Sequence, residues 1–389
     1  MKLTRRAALG LGAGALASAA LPRAFSALAN EPGETSPASP MSESGAPTRA
    51  AAAAAVGDRE QDERTAEHLH ELILRRAVPL RDAWIEMHVV LALGGEFDRD
   101  GKNLLDDLVA ETLAVETVDM RQYPYFPLAA ERHPFHVLQI MQAVGVPEER
   151  AFVAPVGRYT RRELIDGGTA LLEPKEIRDE LSWVVSVLCN EFPPDRDRFT
   201  TARGTEVAVA DVVRQHLSEA ETAYAGVFEV MEGKKLYQKS AIHSTACNGT
   251  HLLYGLIDAL RWGYRADGLE AHVEKLVEAT LVRARLEPVL IDKSLPGSDP
   301  MIRLNADAAK LTFFGHLTEM FGYSHAHHVL ELSGGAERAI AEIRAQLAEV
   351  TQRITNDYDL DRLSTEVPRA YRLILGDACH AYRGIRFWT

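Results

Sequence analysis

Cysteine is scarce: three residues in a chain of 389, at positions 189, 247 and 379. They are far apart and odd in number, which excludes a disulfide framework. A single bridge stays open to them in an oxidising compartment. Positive charge is also in short supply, with 43 Lys and Arg against 56 Asp and Glu, a net −13. So acidic a body repels phosphate backbones, which argues against general nucleic-acid binding. It disfavours anionic lipid and anionic polysaccharide as well, unless a local basic cleft exists. No Gly-rich phosphate loop, GxSxG elbow, HExxH or CxxCH motif occurs. Their absence argues against a nucleotide-dependent enzyme, a serine hydrolase, a zinc protease of the HExxH type and a c-type cytochrome.

Apolar residues make up 46% of the chain and charged residues 25%, so a sizeable core can form. The first thirty residues read as an address. Thr4-Arg5-Arg6 precedes an apolar run from Ala7 to Leu21, and Ala27-Leu28-Ala29 supplies a small-residue cleavage site. The run stops at Pro22, short of the ~20 residues that cross a bilayer. The paired arginines and the Ala/Gly-rich middle resemble a twin-arginine export signal. Substrates of that route are exported folded, often after a cofactor is loaded, so the resemblance implies a periplasmic or extracellular protein and raises the prospect of a cofactor. Loss of residues 1–29 leaves 39 basic against 56 acidic residues, a net −17. Residues 30–64, rich in Pro, Ser, Gly and Glu before an Ala run at 50–55, read as a flexible tether. One folded body is expected over 65–389, with no transmembrane domain once the signal is removed.

That body reads as helix. Ala336–Arg353 and Leu269–Leu286 carry helical apolar spacing, and Val207-Ala208-Val209 is too short to support a sheet. One theme recurs: a helix bearing His or Trp, then Gly or a polar stop. Its markers are His88, His136, Trp183, His251, His316 and His380, at intervals of 48, 47, 68, 65 and 64 residues. A helix–turn–helix–turn unit needs about 35–50 residues. The longer intervals leave room for inserted loops, such as 193–206 and 288–303. Six helical hairpins in series suggest an all-α domain in which each hairpin buries its apolar face against its neighbours. The glycine-ended, histidine-bearing helices resemble the inner helices of α/α-toroid enzymes, over about residues 80–389. The resemblance implies a central cavity lined by those helices.

Reactive side chains concentrate in His243-Ser244-Thr245-Ala246-Cys247-Asn248-Gly249-Thr250-His251-Leu252-Leu253-Tyr254. His243, Cys247 and His251 recur at intervals of four, one face of a continuous helix. Eight residues of helix span ~12 Å, whereas zinc needs ligand atoms ~2.0–2.3 Å from the ion. A metal site from Cys247, His251 and His243 therefore requires the helix to begin near Asn248, with His243 on a loop folding back. Otherwise one adjacent pair ligates. Cys247 and His251 are the better pair, completed by His316 or His325, and zinc is the expected ion. The competing expectation is a buried Cys and a hydrogen-bonded His. Asn248, His251 and Tyr254 offer metal-free acid–base chemistry instead. They resemble the Asn/His/Tyr sets of helical-toroid polysaccharide lyases, though Tyr254 follows His251 more closely than in those families. The resemblance also calls for an Arg, for which Arg203 and Arg303 are candidates.

Elsewhere, His325-Ala326-His327-His328 reads as a solvated turn, and His316/Glu319 as a structural pair on one helix face. Residues 96–107 depart from a calcium loop at three positions, and an Asp-Gly turn leading into a helix explains them better. Arg121–Pro127 reads as an aromatic, proline-rich loop. The expectation is an exported helical toroid acting on an envelope or extracellular carbohydrate, by hydrolysis or elimination. Its catalytic candidates are His251, Tyr254, Asn248 and His316. The alternatives are a non-catalytic binding or scaffold protein with a small-molecule ligand, and a metal-binding accessory protein.

Overall fold

The computed structural model describes residues 49–173, 177, 181–297 and 299–389. The export signal and residues 30–48 of the tether lie outside them. Residues 49–64 do not match the tether expected there: they begin helix α1 (Arg49–Leu72), which runs on as a π turn over Ile73–Ala77. Alanine is the best helix former, and the helix acquires a buried face at Asp62, Thr65, Ala66 and Leu69. Asp62 pairs with Arg344, so the folded body starts before residue 65.

Helix α2 (Ala83–Leu93) starts at Asp82, whose side chain accepts from the Ile85 N–H. The hairpin β1–β2 (Asp98–Arg99, Lys102–Asn103) turns at Asp100 and Gly101, both at positive φ, and leads into α3 (Leu104–Thr112). This is the expected Asp-Gly turn. Arg121–Tyr125 is not a loop but strand β4, paired with β3 (Ala114–Val118) around a two-residue turn at Asp119 and Met120, both at positive φ. Then come α4 (Leu128–Glu131), α5 (His136–Ala143), the hairpin β5–β6 (Ala151–Ala154, Gly157–Thr160) and α6 (Arg161–Ala170). Helix α7 (Ser182–Glu191) follows. The 193–206 insertion holds most of a further hairpin, β7–β8 (Arg198–Thr200, Glu206–Ala208), so Val207 does lie in a strand, but one with a single neighbour.

The remainder is helical: α8 (Val209–Met231), α9 (Thr250–Arg261), α10 (Leu269–Ser294), α11 (Pro300–Ala326), α12 (Gly334–Asn356), α13 (Leu360–Glu366) and α14 (Pro368–Arg386). Most of the 288–303 segment expected as a loop is helix, with Pro288 inside α10. The architecture is all-α with four two-stranded antiparallel hairpins among the described residues. No described helix is long and apolar enough to cross a membrane.

The six marker residues sit on α2, α5, α7, α9, α11 and α14. Each of these helices packs against the next, and α14 packs back against α2. Helices α1, α8, α10 and α12 lie outside them: α8 and α10 against α9, α10 and α12 against α11, and α1 against α14 and α12. Glycine permits a close approach of α11 and α14. A Cβ on Gly384 of α14 would lie 2.5 Å from the backbone nitrogen of Glu319 on α11.

Candidate functional site

The six marker side chains touch in chain order. Ring centroids are 5.4 Å apart for His88 and His136, 5.3 Å for His136 and Trp183, and 4.6 Å for Trp183 and His251. The sequence continues at 4.7 Å for His251 and His316 and 4.1 Å for His316 and His380, and closes at 4.9 Å between His380 and His88. All six are buried. His133 flanks the ring, 5.6 Å from His136 and 5.9 Å from His251.

Hydrogen bonds fix several of these imidazoles. His88 Nδ1 meets the Trp84 carbonyl at 2.5 Å and His316 Nδ1 the Thr312 carbonyl at 2.7 Å. A carbonyl only accepts, so each Nδ1 carries the proton and each Nε2 a lone pair. His380 Nδ1 donates to Glu319 Oε2 at 2.6 Å, and Arg383 Nη1 donates to Glu319 Oε1 at 2.5 Å. The backbone carbonyl of His251 accepts from Ser182 Oγ at 2.7 Å, and that of Leu252 from His216 Nε2 at 2.9 Å, which anchors the first turn of α9. Glu131 accepts from the Phe135 and Val137 N–H groups and so fixes the start of α5.

Burial disfavours charge at four of these histidines. It pushes the His88, His136 and His251 pKa values well below the usual imidazole range, and neighbouring imidazoles add to the effect. His316 falls to about 3, by burial first and by His380 second. Burial works to raise Glu319, but His380 and Arg383 outweigh it and hold the carboxyl at about 2. Burial lifts Asp377 to about 6, against the hydrogen bond from Thr312.

Cys247 reaches this ring from the segment before α9. Ligand atoms of Cys247, His251 and His316 all lie within 4.8 Å of one another, which makes the three a candidate metal-binding group. His251 Nε2 and His316 Nε2 are buried and have no hydrogen-bond partner. The backbone here is strained: Cys247 (φ 46°), Asn248 (φ 54°) and Gly249 (φ 74°) are successively left-handed. For Cys247 and Asn248 this costs roughly 1–3 kcal/mol each. At Gly249 a side chain is sterically excluded as well, since a Cβ would meet Ile242 Cγ1 at 2.5 Å. A space of about 10 Å³, enough for one water molecule, lies against His251. His133, Ser182, Trp183, Thr245 and Ala246 line it as well.

Helix α9 begins at Thr250, just past Asn248, and His243 lies on a loop. That loop carries His243 away from the Cys247 group. Its Nδ1 accepts from the Ser240 N–H, and its Nε2 faces Glu287 at 3.2 Å. His243 is therefore not a third ligand in this arrangement; His316 takes that place. His325 stacks on Trp388 at 4.6 Å and is outside the group too. Tyr254 turns toward Arg383 (3.4 Å) and Tyr323 (5.0 Å between rings). The backbone carbonyl of Asn248 accepts from Arg283 at 2.5 Å. Glu319 serves His380 and Arg383 rather than His316. Of the arginine candidates, Arg203 pairs with Glu116, and Arg303 lines a cleft between α10, α11 and α12. The arginine at the centre is Arg383, which went unmarked in the sequence although it lies one helical turn after His380. Compared with protein-family models, curated proteins and solved structures, the chain matches none.

Proposed function

We propose that this protein is an exported α/α toroid whose hub holds a transition-metal ion on Cys247, His251 and His316. The observation that carries this reading is the convergence of ligand atoms of Cys247, His251 and His316 within 4.8 Å; both histidines also carry a buried Nε2 without a partner. The closed cycle of six helices around the imidazole ring supports the toroid. The Arg5-Arg6 signal supports export in a folded, loaded state.

The donor set selects the ion. One thiolate and two imidazoles suit zinc or copper, whereas calcium and magnesium take oxygen ligands. The Nδ1–H of His316 bound to the Thr312 carbonyl is the outer-shell bond that orients a metal-ligating histidine. Three protein ligands leave a fourth position, as in catalytic rather than closed structural zinc sites. An ion there would lower the pKa of a bound water. Sugar elimination through Asn248, His251 and Tyr254 is less favoured, because about 10 Å³ beside His251 does not admit a sugar ring.

The test is the metal content of the mature protein, purified without chelator or histidine tag. One equivalent is expected, with a loss of at least about 10-fold in affinity for Cys247→Ser, His251→Ala and His316→Ala. A wild-type protein that takes up neither zinc nor copper defeats the reading.

A further inference from the structure

We infer that the segment from Gly233 to Gly249 is a lid that brings Cys247 to the ion, so that closing the lid and holding the metal are a single event. This rests on the metal reading above. Two of the three ligands, His251 and His316, stand on the helices α9 and α11. The third is on a segment that joins α8 to α9 with only two short 3₁₀ turns, Ala241–Ser244 and Ala246–Gly249.

Both ends of the segment are glycines at positive φ, +70° at Gly233 and +74° at Gly249. Hinges are a few residues at element ends that absorb backbone rotation, and these two occupy such places. The outer half of the segment is exposed, including Lys234, Lys235, Leu236 and Lys239. The inner half turns down onto the site. Ile242 is fully buried, and Thr245 and Ala246 wall the water-sized space against His133, Trp183 and His251. With the lid closed that space admits a water molecule and little else. Loading an ion, or exchanging any larger ligand at it, requires the wall to move.

A latch holds the wall in place. Glu287, buried on α10, accepts from the Tyr237 hydroxyl, from His243 Nε2 at 3.2 Å and from Arg283 Nε at 2.9 Å. Arg283, also buried, donates a second bond, to the Asn248 carbonyl at 2.5 Å. One carboxylate–guanidinium pair on the body thus grips the lid at Tyr237, His243 and Asn248. Coordination through Cys247 would add a fourth attachment beside Asn248 and hold its left-handed backbone in place.

Limited trypsin digestion of the full mature chain, with and without one equivalent of zinc chloride, tests this. Lys234, Lys235 and Lys239 are cleavage positions within the lid. Zinc is expected to slow cleavage there by at least about 10-fold and leave cuts elsewhere unchanged. Glu287→Gln and Tyr237→Phe are each expected to speed lid cleavage in the zinc-free protein. Both should speed release of zinc to a chelator by roughly 10-fold. Tyr237→Phe removes one hydroxyl and keeps the ring packing, so it decides the matter if Glu287→Gln unfolds. Bound zinc with equal lid cleavage in both states overturns the lid and leaves the metal site standing. Wild-type rates in Tyr237→Phe overturn the latch. Failure to bind zinc at all defeats the metal reading, and the lid inference with it.

Discussion

Gly384→Ala tests how tightly the two helices that carry His316 and His380 must pack. A Cβ at this position would lie 2.5 Å from the Glu319 backbone nitrogen and 2.8 Å from both Glu319 Cα and Thr318 C. All three are backbone atoms, so no side chain can rotate out of the way. Ordinary contact begins near 3.4 Å, so α11 and α14 must separate locally by about 0.9 Å. Overpacking of this kind costs about 3 kcal/mol at the upper end of its usual range. Ala gains about 1 kcal/mol over Gly in a helix interior. The net expectation is a loss of about 2 kcal/mol, which lowers Tm by roughly 3 °C in a chain of this size. The shift also draws Glu319 away from His380 and Arg383. Gly334→Ala is the control: it sits at the start of α12, and the nearest atom to its Cβ is an Arg338 side-chain nitrogen at 3.8 Å. It should be neutral or slightly stabilising. Thermal unfolding followed by circular dichroism reads both. If Gly384→Ala melts at or above the wild-type temperature, the close packing of α11 on α14 has been misjudged.

Two further outcomes follow from the same region. Glu319→Gln leaves the buried Arg383 without its carboxylate and should lower stability by about 3–5 kcal/mol; an unchanged urea midpoint would show that Tyr254 or solvent compensates. The metal-free protein should lose stability between pH 6.5 and 5. Below pH 6.5 the unfolded imidazoles take up protons that folded His316, at about 3, and folded His216, at about 4, refuse. Each then costs about 2 kcal/mol by pH 5. Asp377 works the other way, because its folded carboxyl, at about 6, takes a proton before the unfolded one does. It returns about 1.4 kcal/mol. Together these three groups contribute a loss of roughly 3 kcal/mol, and the lowered His88, His136 and His251 act in the same direction; equal urea midpoints at pH 7 and pH 5 would refute it.

The helical character and the six markers were legible because both rest on local repetition. Apolar spacing reports a helix wherever it recurs, and the six markers, five His and one Trp, fall on six helices that each pack against the next. The hairpins were not legible for the opposite reason. Strands of two to five residues, such as Asp98–Arg99, present too few positions for alternation to register. The body begins before residue 65 although composition there suggests a tether, because Asp62 is buried against Arg344, some 280 residues further along. The candidate site divides in the same way. Cys247 and His251 lie four residues apart and pair by spacing, and the sequence offers His316 and His325 for the third place. The partner of His243 is Glu287 and the partners of Glu319 are His380 and Arg383, each on another element. Only the fold brings these together.

The imidazole ring is hard to account for as packing. Burying a polar atom without a partner costs about 1–3 kcal/mol, and His136 does so at both ring nitrogens, with His251 and His316 doing so at one each. Set against a typical stability of 5–15 kcal/mol, that is a substantial fraction. Trp183 shows that the geometry does not demand it. It fills the same place on α7 that histidine fills on the other five helices, stacks on His136 at 9° between planes, and touches His251 on the other side. Any of the five histidines could be a Phe or a Trp if filling the hub were the whole requirement. Imidazole adds a nitrogen lone pair to the same volume, and an ion on Cys247, His251 and His316 would turn two of the four unpartnered atoms into ligands. The other two belong to His136, which lies outside the three-ligand group. Its ring is braced between Trp183 and His88, and the Glu131 backbone opposes part of the effect of its burial.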